Sequence, residues 1–132
     1  MLQAMSCAAG TRVRMSDGIF DRVENLFEGA ELVSLPGEDP ARVIRPLSFS
    51  MKLCVKLKTD EGQELTCTTD HALLAAGSGE RIRASDSLNR HIRVRGGAAQ
   101  VVEVREVGER RVVHLELDPP FVYEAEGILS EE

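Results

Sequence analysis

The feature that most constrains the fold is a run of alternating apolar and polar residues that ends in a tight turn. A period of two is typical of a β-strand with one buried face. The turn Asp60-Glu61-Gly62 then reverses the chain into Glu64–Thr68, which predicts a β-hairpin. The apolar positions that we assign to the buried face of the first strand are Met51, Leu53, Val55 and Leu57.

Short extended runs separated by turn signals occupy much of the remaining chain. They are Thr11–Met15, Val101–Val104, Val112–Leu117 and Phe121–Ala125. Clusters of glycine and proline punctuate the sequence, as in the predicted loop Pro36–Pro40 and the break Asp118–Pro120. Many short strands joined by frequent turns predict an all-β fold.

Helical signals are brief, and they occur twice in similar surroundings. Val23–Leu26 and Ser85–Leu88 are each predicted to form one helical turn. An extended apolar stretch follows each of them, at Leu32-Val33 and at Ile92–Val94. The repeated order of strand, short helical turn and strand indicates an internal two-fold symmetry.

Composition sets the size of the core and the class of partner. A chain of 132 residues with 42% apolar residues is predicted to form one domain with a single core. Aromatic residues make up 4%, so Val, Leu and Ile must build most of that core. The net charge of −6 argues against a nucleic-acid surface. One basic group alternates with apolar residues and is predicted to be a solvated strand face: Arg81, Arg83, Arg90, Arg93 and Arg95.

The three cysteines are a poor disulfide framework, because their number is odd and their spacing does not repeat. The chain has no Cys-x-x-Cys pair, so we do not expect a zinc site. We expect no cofactor. We expect a reducing, cytoplasmic setting, or a place within a larger and even exported host protein. No run reaches transmembrane length, and Met1–Ser6 does not have the character of a signal peptide. We therefore expect no membrane partner.

Three sequence blocks carry the functional argument. The first is Cys-x-x-Gly-Thr-x-Val over Cys7–Val13, followed by Asp17-Gly18 and by a Val-x-x-Leu-x-x-Gly run that begins at Val23. The second is Thr68-Thr69-Asp70-His71, and the third is Val112-Val113-His114-Leu115 followed by the run Phe121–Leu129. In this order they resemble the Hint family, the self-processing module shared by inteins, bacterial intein-like domains and hedgehog autoprocessing domains.

The resemblance implies an all-β Hint fold, a compact horseshoe with pseudo-two-fold symmetry and short helical turns. It implies a single domain over residues 7–132, preceded by an extein-like flank over residues 1–6. The substrate would be the chain's own peptide bond between Ser6 and Cys7. The Cys7 thiol would attack the Ser6 carbonyl and convert the amide into a thioester, so the chain would act as a single-turnover, cis-acting cysteine autoprotease.

The acyl shift requires that the Cys7 thiol lose a proton and that the Cys7 nitrogen gain one. The second sequence block would supply the proton for the nitrogen. A free thiol titrates near ~8.5, so the thiol must be helped to lose its proton. The departing nitrogen of Cys7 must gain a proton, which the resemblance assigns to His71 as general acid. Thr68 would hydrogen-bond near the scissile amide or its oxyanion, and Asp70 would support His71. The alternative for His71 is a turn residue capped by Asp70.

The third block departs from the family pattern. Inteins usually carry Asp at the position of His114, which here would either share the acid–base work beside Cys7 or be a half-exposed strand residue. Inteins commonly carry His where Phe121 aligns, and they end in His-Asn where this chain has Glu131 and Glu132. A glutamate does not readily replace the cyclising asparagine, so we expect N-terminal cleavage without splicing. Water or an external thiol or amine would release the thioester.

Several alternatives stay open at the level of sequence. The chain could be a degenerate Hint domain that serves as a structural or protein-interaction module. It could also be a generic small β-barrel whose strand edges bind a partner peptide. We assign Cys54 and Cys67 to the core, together with the side chains of Phe121 and Tyr123. His91 is assigned to the surface.

Overall fold

Twelve β-strands and two 3₁₀-helices form the regular structure of residues 6–132, the part of the chain that the computed structural model describes, apart from the side chains of Ser48 and Phe49. The strands are β1 Cys7–Ala8, β2 Arg12–Arg14, β3 Phe20–Arg22, β4 Glu31–Leu32, β5 Ala41–Thr59, β6 Glu64–Thr68, β7 Ala72–Leu74, β8 Arg81–Arg83, β9 His91–Val94, β10 Gly97–Leu117, β11 Val122–Ala125 and β12 Ile128–Glu131. The 3₁₀-helices are Val23–Asn25 and Ala84–Asp86. The fold is all-β, as predicted. The predicted boundary between residues 6 and 7 stays a prediction, since residues 1–5 lie outside the described part.

The two longest strands, β5 and β10, pair antiparallel along most of their length. The predicted hairpin is present, because β5 turns back into β6 and Val55 pairs with Cys67. The short strand β1 lies between β10 and β6, where Cys7 pairs with Val113 on one side and Cys67 on the other. Cys7 is therefore held in the middle of this part of the sheet.

The end of the described chain returns to the same region. β12 pairs with β11 in register Val122–Glu131, and its other edge pairs with β7 in register Glu131–Ala72. β11 also pairs with β2 at Ala125 and Val13. These pairings bring the last residues of the chain beside the residues that follow His71.

The predicted two-fold symmetry is visible in the strand pairing. β2, β3, the first 3₁₀-helix, β4 and β5 follow one another in the same order as β7, β8, the second 3₁₀-helix, β9 and β10. An isolated bridge joins Met15 to Leu32 in the first half, and a matching bridge joins Ala75 to Ile92 in the second. We call residues 8–43 the first half-frame and residues 68–101 the second half-frame.

Burial confirms most of the predicted core and corrects part of it. Tyr123, Cys54 and Cys67 are buried. Met51 and Leu53 were placed on the buried face and are instead 57% and 65% exposed. The sheet narrows at this point: β6 pairs with β5 only from Cys54 to Lys58, so Met51 and Leu53 lie in a part of β5 that pairs with β10 alone.

Phe121 is a second correction, since its side chain is 42% exposed and does not lie in the core. It precedes β11 and has a left-handed backbone with φ of 67°. The second helical turn begins one residue earlier than predicted, at Ala84. His91 is exposed as predicted. No helix in the described residues is both long and apolar enough to cross a bilayer.

Candidate active site

The first sequence block forms the strand and turn that hold Cys7. β1 ends at Ala8, and the chain turns at once through Gly10, whose φ of 94° suits a residue without a Cβ. The turn is closed by the Thr11 N–H, which donates to the Ala8 carbonyl at 3.1 Å. The spacing Cys-x-x-Gly-Thr therefore leads the chain from Cys7 into β2. Ser6 and Cys7 are both buried, at 1% and 0% exposure.

Thr68 makes three contacts with Ser6, two of them to its carbonyl oxygen. The Thr68 backbone N–H donates to the Ser6 oxygen at 2.9 Å, and Thr68 Oγ1 lies 3.4 Å from the same oxygen. The Ser6 N–H in turn donates to Thr68 Oγ1 at 3.0 Å. Two donors on one carbonyl oxygen form the kind of arrangement that stabilises an oxyanion during acyl transfer.

The Thr-x-x-His spacing is explained by a reverse turn. The His71 N–H donates to the Thr68 carbonyl at 3.1 Å, which closes a four-residue turn after β6. The His71 carbonyl accepts from the Ala84 N–H at 2.8 Å, at the start of the second 3₁₀-helix. The imidazole is fully buried, and its Nε2 lies 3.8 Å from Cys7 Sγ. Its Nδ1 has no hydrogen-bond partner among the described residues.

Burial keeps both members of the thiol–imidazole pair uncharged at neutral pH. It lowers the pKa of His71 to about 4, against an opposing effect of the Asp70 carboxylate. It also raises the pKa of the Cys7 thiol well above its ordinary value. The resting site therefore contains a neutral thiol beside a neutral imidazole. Asp70 itself lies half-buried in the turn that carries His71.

Two residues that sequence reasoning missed complete the surroundings of Cys7. The Tyr123 hydroxyl lies 3.2 Å from Cys7 Sγ, and it donates to Glu132 Oε1 at 2.8 Å. Tyr123 was expected only to fill the core, and Glu132 only to mark a lost asparagine. The available signal was the position of Glu132 just after the third block, where inteins carry a reacting side chain. The Glu132 N–H donates to the Phe121 carbonyl at 2.9 Å and so fixes the end of the chain here.

His114 reaches the site through Glu132. Its Nδ1 lies 3.1 Å from Glu132 Oε2, and its side chain is 24% exposed. The described contacts thus run from Cys7 to Tyr123, from Tyr123 to Glu132, and from Glu132 to His114. Both sequence-based expectations for His114 have a counterpart: it is a partly exposed strand residue, and it belongs to the polar group around Cys7.

Comparisons with known proteins identify the fold. No protein-family model and no curated protein matches the chain. Among solved structures, the gp41-1 intein matches with a TM-score of 0.84 and 20% identity, over 96% of this chain and 98% of that one. A DnaB intein from Synechocystis sp. PCC 6803 matches with a TM-score of 0.84 and 21% identity, over 96% of both chains. The MchDnaB-1 intein matches with a TM-score of 0.81 and 20% identity, over 96% of this chain and 99% of that one. This chain therefore has the Hint fold of the inteins.

Proposed function

We propose that the chain activates its own Ser6–Cys7 peptide bond by an N-to-S acyl shift. Cys7 Sγ attacks the Ser6 carbonyl carbon, the bond to the Cys7 nitrogen breaks, and a thioester forms. The observation that carries the proposal is the placement of two Thr68 donors on the Ser6 carbonyl oxygen, at 2.9 and 3.4 Å, beside a buried cysteine–histidine pair.

Thr68 supplies the electrostatic part of this mechanism. Negative charge develops on the Ser6 oxygen as sulfur adds to the carbonyl carbon. The Thr68 N–H already points at that oxygen, and the hydroxyl can turn its hydrogen toward the same atom. Donors fixed in a site without water stabilise such charge because they need no reorganisation during the reaction.

His71 supplies the proton that the departing nitrogen needs. An amide nitrogen leaves only when it is protonated, and Cys7 Sγ and its nitrogen belong to the same residue that His71 Nε2 approaches. Because the pKa of His71 is lowered to about 4, the protonated form is a minor species at neutral pH. We expect a slow single turnover for this reason.

The thioester is released by water or by an external thiol or amine. We propose that splicing does not follow, because Glu132 stands where the resemblance places the cyclising asparagine, and its carboxyl group does not readily replace that amide. The flank over residues 1–6 is then the substrate, and residues 7–132 form the processing domain. The negative net charge of −6 supports a partner that is neither nucleic acid nor an anionic surface.

The proposal is tested by the intact mass of the chain, before and after incubation with excess dithiothreitol near neutral pH. The expected result is loss of the mass of Met1–Ser6, because the thiol exchanges with the thioester. Cys7→Ala is the control and must keep its full mass. An unchanged mass in the folded wild-type chain over days would contradict the proposal and favour a degenerate Hint domain that binds a partner.

A further inference from the structure

Cys7 has a second polar neighbour that the acyl shift as described does not use. The Tyr123 oxygen lies 3.2 Å from Cys7 Sγ, closer than His71 Nε2 at 3.8 Å. Tyr123 is completely buried, and a buried hydroxyl normally has defined partners. The two partners here are Cys7 and Glu132.

The number of available hydrogens determines which group is the donor in the contacts of Tyr123 with Cys7 and Glu132. A phenol carries one hydrogen, and an ionised carboxylate can only accept hydrogen bonds. The Tyr123 hydrogen is donated to Glu132 Oε1 at 2.8 Å, so it is not available to the sulfur. The Cys7 thiol must then be the donor in its contact with the Tyr123 oxygen. The hydrogens therefore point from Cys7 to Tyr123 and from Tyr123 to Glu132.

We propose that Tyr123 and Glu132 take the thiol proton of Cys7 during the acyl shift. The inference rests on the proposed function and adds the base that the reaction requires. Glu132 is the proton acceptor, and Tyr123 passes the proton to it. His114 is a positioning residue, which holds Glu132 through the contact of 3.1 Å between Nδ1 and Oε2.

The step balances in protons and charge. The thiol hydrogen moves to the Tyr123 oxygen as the Tyr123 hydrogen moves to Glu132 Oε1, and the sulfur bonds to the Ser6 carbonyl carbon. The bond between that carbon and the Cys7 nitrogen breaks as protonated His71 gives its proton to the nitrogen. Glu132 ends neutral, and so does His71, so the net charge of the site is unchanged.

The surroundings of Glu132 suit a proton acceptor. Its side chain is 3% exposed, and this burial raises the pKa of its carboxyl group, while the adjacent His114 acts in the opposite direction. A carboxylate whose proton affinity is raised is a better base toward a thiol than one in water. Besides one another, the charged and titratable groups that act on Cys7, Tyr123, Glu132 and His71 are Cys54, Asp70, Arg81, His114 and Glu126.

The test compares the rate of dithiothreitol-dependent loss of Met1–Ser6 in Tyr123→Phe and Glu132→Gln with the wild-type rate. Each variant keeps the shape of its side chain and removes one member of the proton path. We expect each to slow cleavage by about 10²-fold or more, the usual contribution of a positioned base. We expect the double variant to be no slower than the slower single variant, because the two residues act in series.

A matched control comes from the neighbouring glutamate. Glu131 lies 3.7 Å from Arg81 and has no part in the proposed path, so Glu131→Gln should cleave at the wild-type rate. The pH–rate profile gives a second readout that a packing role would not move. The wild-type rate requires ionised Glu132 and protonated His71, so it passes through a maximum as the pH changes. The fall in rate on the acidic side, where Glu132 becomes protonated, should vanish in Glu132→Gln.

The positioning role of His114 is tested by conservative rescue. An asparagine amide can donate from nearly the same place as Nδ1, so His114→Asn should retain more activity than His114→Ala. Equal rates in these two variants would overturn the role of His114.

The outcomes separate the two proposals. Wild-type cleavage with unchanged or faster cleavage in folded Tyr123→Phe and Glu132→Gln would overturn the proton path and leave the acyl shift intact. A wild-type chain that never cleaves would overturn the acyl shift, and the proton path with it.

Discussion

The first and second half-frames hold Thr11 and His71 in matching backbone positions. The Thr11 N–H donates to the Ala8 carbonyl, and the His71 N–H donates to the Thr68 carbonyl, each at 3.1 Å. Both side chains are buried, at 6% and 0% exposure. The same turn thus presents a small hydroxyl in one half and an imidazole in the other.

The agreement continues beyond the turn. The Thr11 carbonyl accepts from Val23 at the start of the first 3₁₀-helix, and the His71 carbonyl accepts from Ala84 at the start of the second, each at 2.8 Å. The two half-frames therefore share the same backbone arrangement. The halves differ in the side chains that they present: the second half-frame brings Thr68 to the Ser6 carbonyl and His71 to the Cys7 sulfur, and the first half-frame has no matching pair in these positions.

The largest expected effect comes from giving the second half-frame the residue of the first. His71→Thr removes the imidazole and should slow thiol-dependent cleavage by about 10²–10⁴-fold, the range for loss of a general acid. The measurement is the rate of mass loss with dithiothreitol. Thr11→Val is the matched variant in the first half-frame and should stay within a few-fold of wild type. Comparable losses in both variants would show that the frames, and not the imidazole, determine activity.

A pH-dependent difference in stability should also distinguish the halves. The folded pKa of His71 is about 4 and its ordinary value is 6.5, so between these values the unfolded chain binds more protons. Stability should therefore fall as the pH decreases from 6.5 to about 4, by about 3 kcal/mol from this residue. His71→Thr should lack this loss, while Glu132 contributes equally to both proteins. Urea unfolding of both proteins at the two pH values measures this loss of stability. Equal losses in wild type and His71→Thr would contradict its assignment to His71.

A smaller effect is expected at Thr68. Thr68→Val removes the hydroxyl that lies 3.4 Å from the Ser6 oxygen but keeps the backbone N–H at 2.9 Å. With one of two donors retained, we expect cleavage to slow by about 10- to 100-fold, less than the loss of a principal oxyanion donor. Thr68→Ser restores the hydroxyl and should recover most of the rate. A Thr68→Val protein as fast as wild type would remove the hydroxyl from the mechanism.

The smallest effect is expected at a turn position where the two half-frames carry different residues with the same left-handed backbone conformation. Gly29 has φ of 90°, and its counterpart Asn89 has φ of 67°, both in the left-handed region. Gly29→Ala should cost about 1–2 kcal/mol of stability, the penalty for a Cβ in this conformation. Asn89→Gly removes that penalty and should change the stability by less than about 1 kcal/mol. Urea unfolding of both variants makes the comparison, and equal destabilisation would contradict it.

Local patterns in the sequence predicted the hairpin and segments of several strands, but not the strands β1, β3, β7 and β12. The hairpin from β5 to β6 follows from alternation and a glycine turn, and the 3₁₀-helix at Val23–Asn25 follows from a short helical signal. The exposure of Met51 and Leu53 could not be predicted in this way, because it depends on where the sheet narrows to the pair of β5 and β10. Alternation gives the two faces of a strand but does not show which neighbour covers each face.

In the candidate site, too, the local part was predictable from the sequence and the long-range part was not. Thr68 and His71 stand in a recognisable spacing, and the turn that joins them is local. Tyr123 and Glu132 are separated from Cys7 by most of the chain, and they are brought to it by the pairing of β11 with β2 and β12 and of β12 with β7. Their role around the thiol depends on these long-range contacts, which a single sequence does not display.

The most direct test of the central claim is hydroxylamine trapping of the Ser6 carbonyl, read by mass spectrometry of the released peptide. Hydroxylamine attacks a thioester far faster than an amide, so the folded wild-type chain should release Met1–Ser6 as its hydroxamate. Cys7→Ala should release nothing. A folded wild-type chain that stays intact, or that releases the same hydroxamate when Cys7 is absent, would contradict an acyl shift at Cys7.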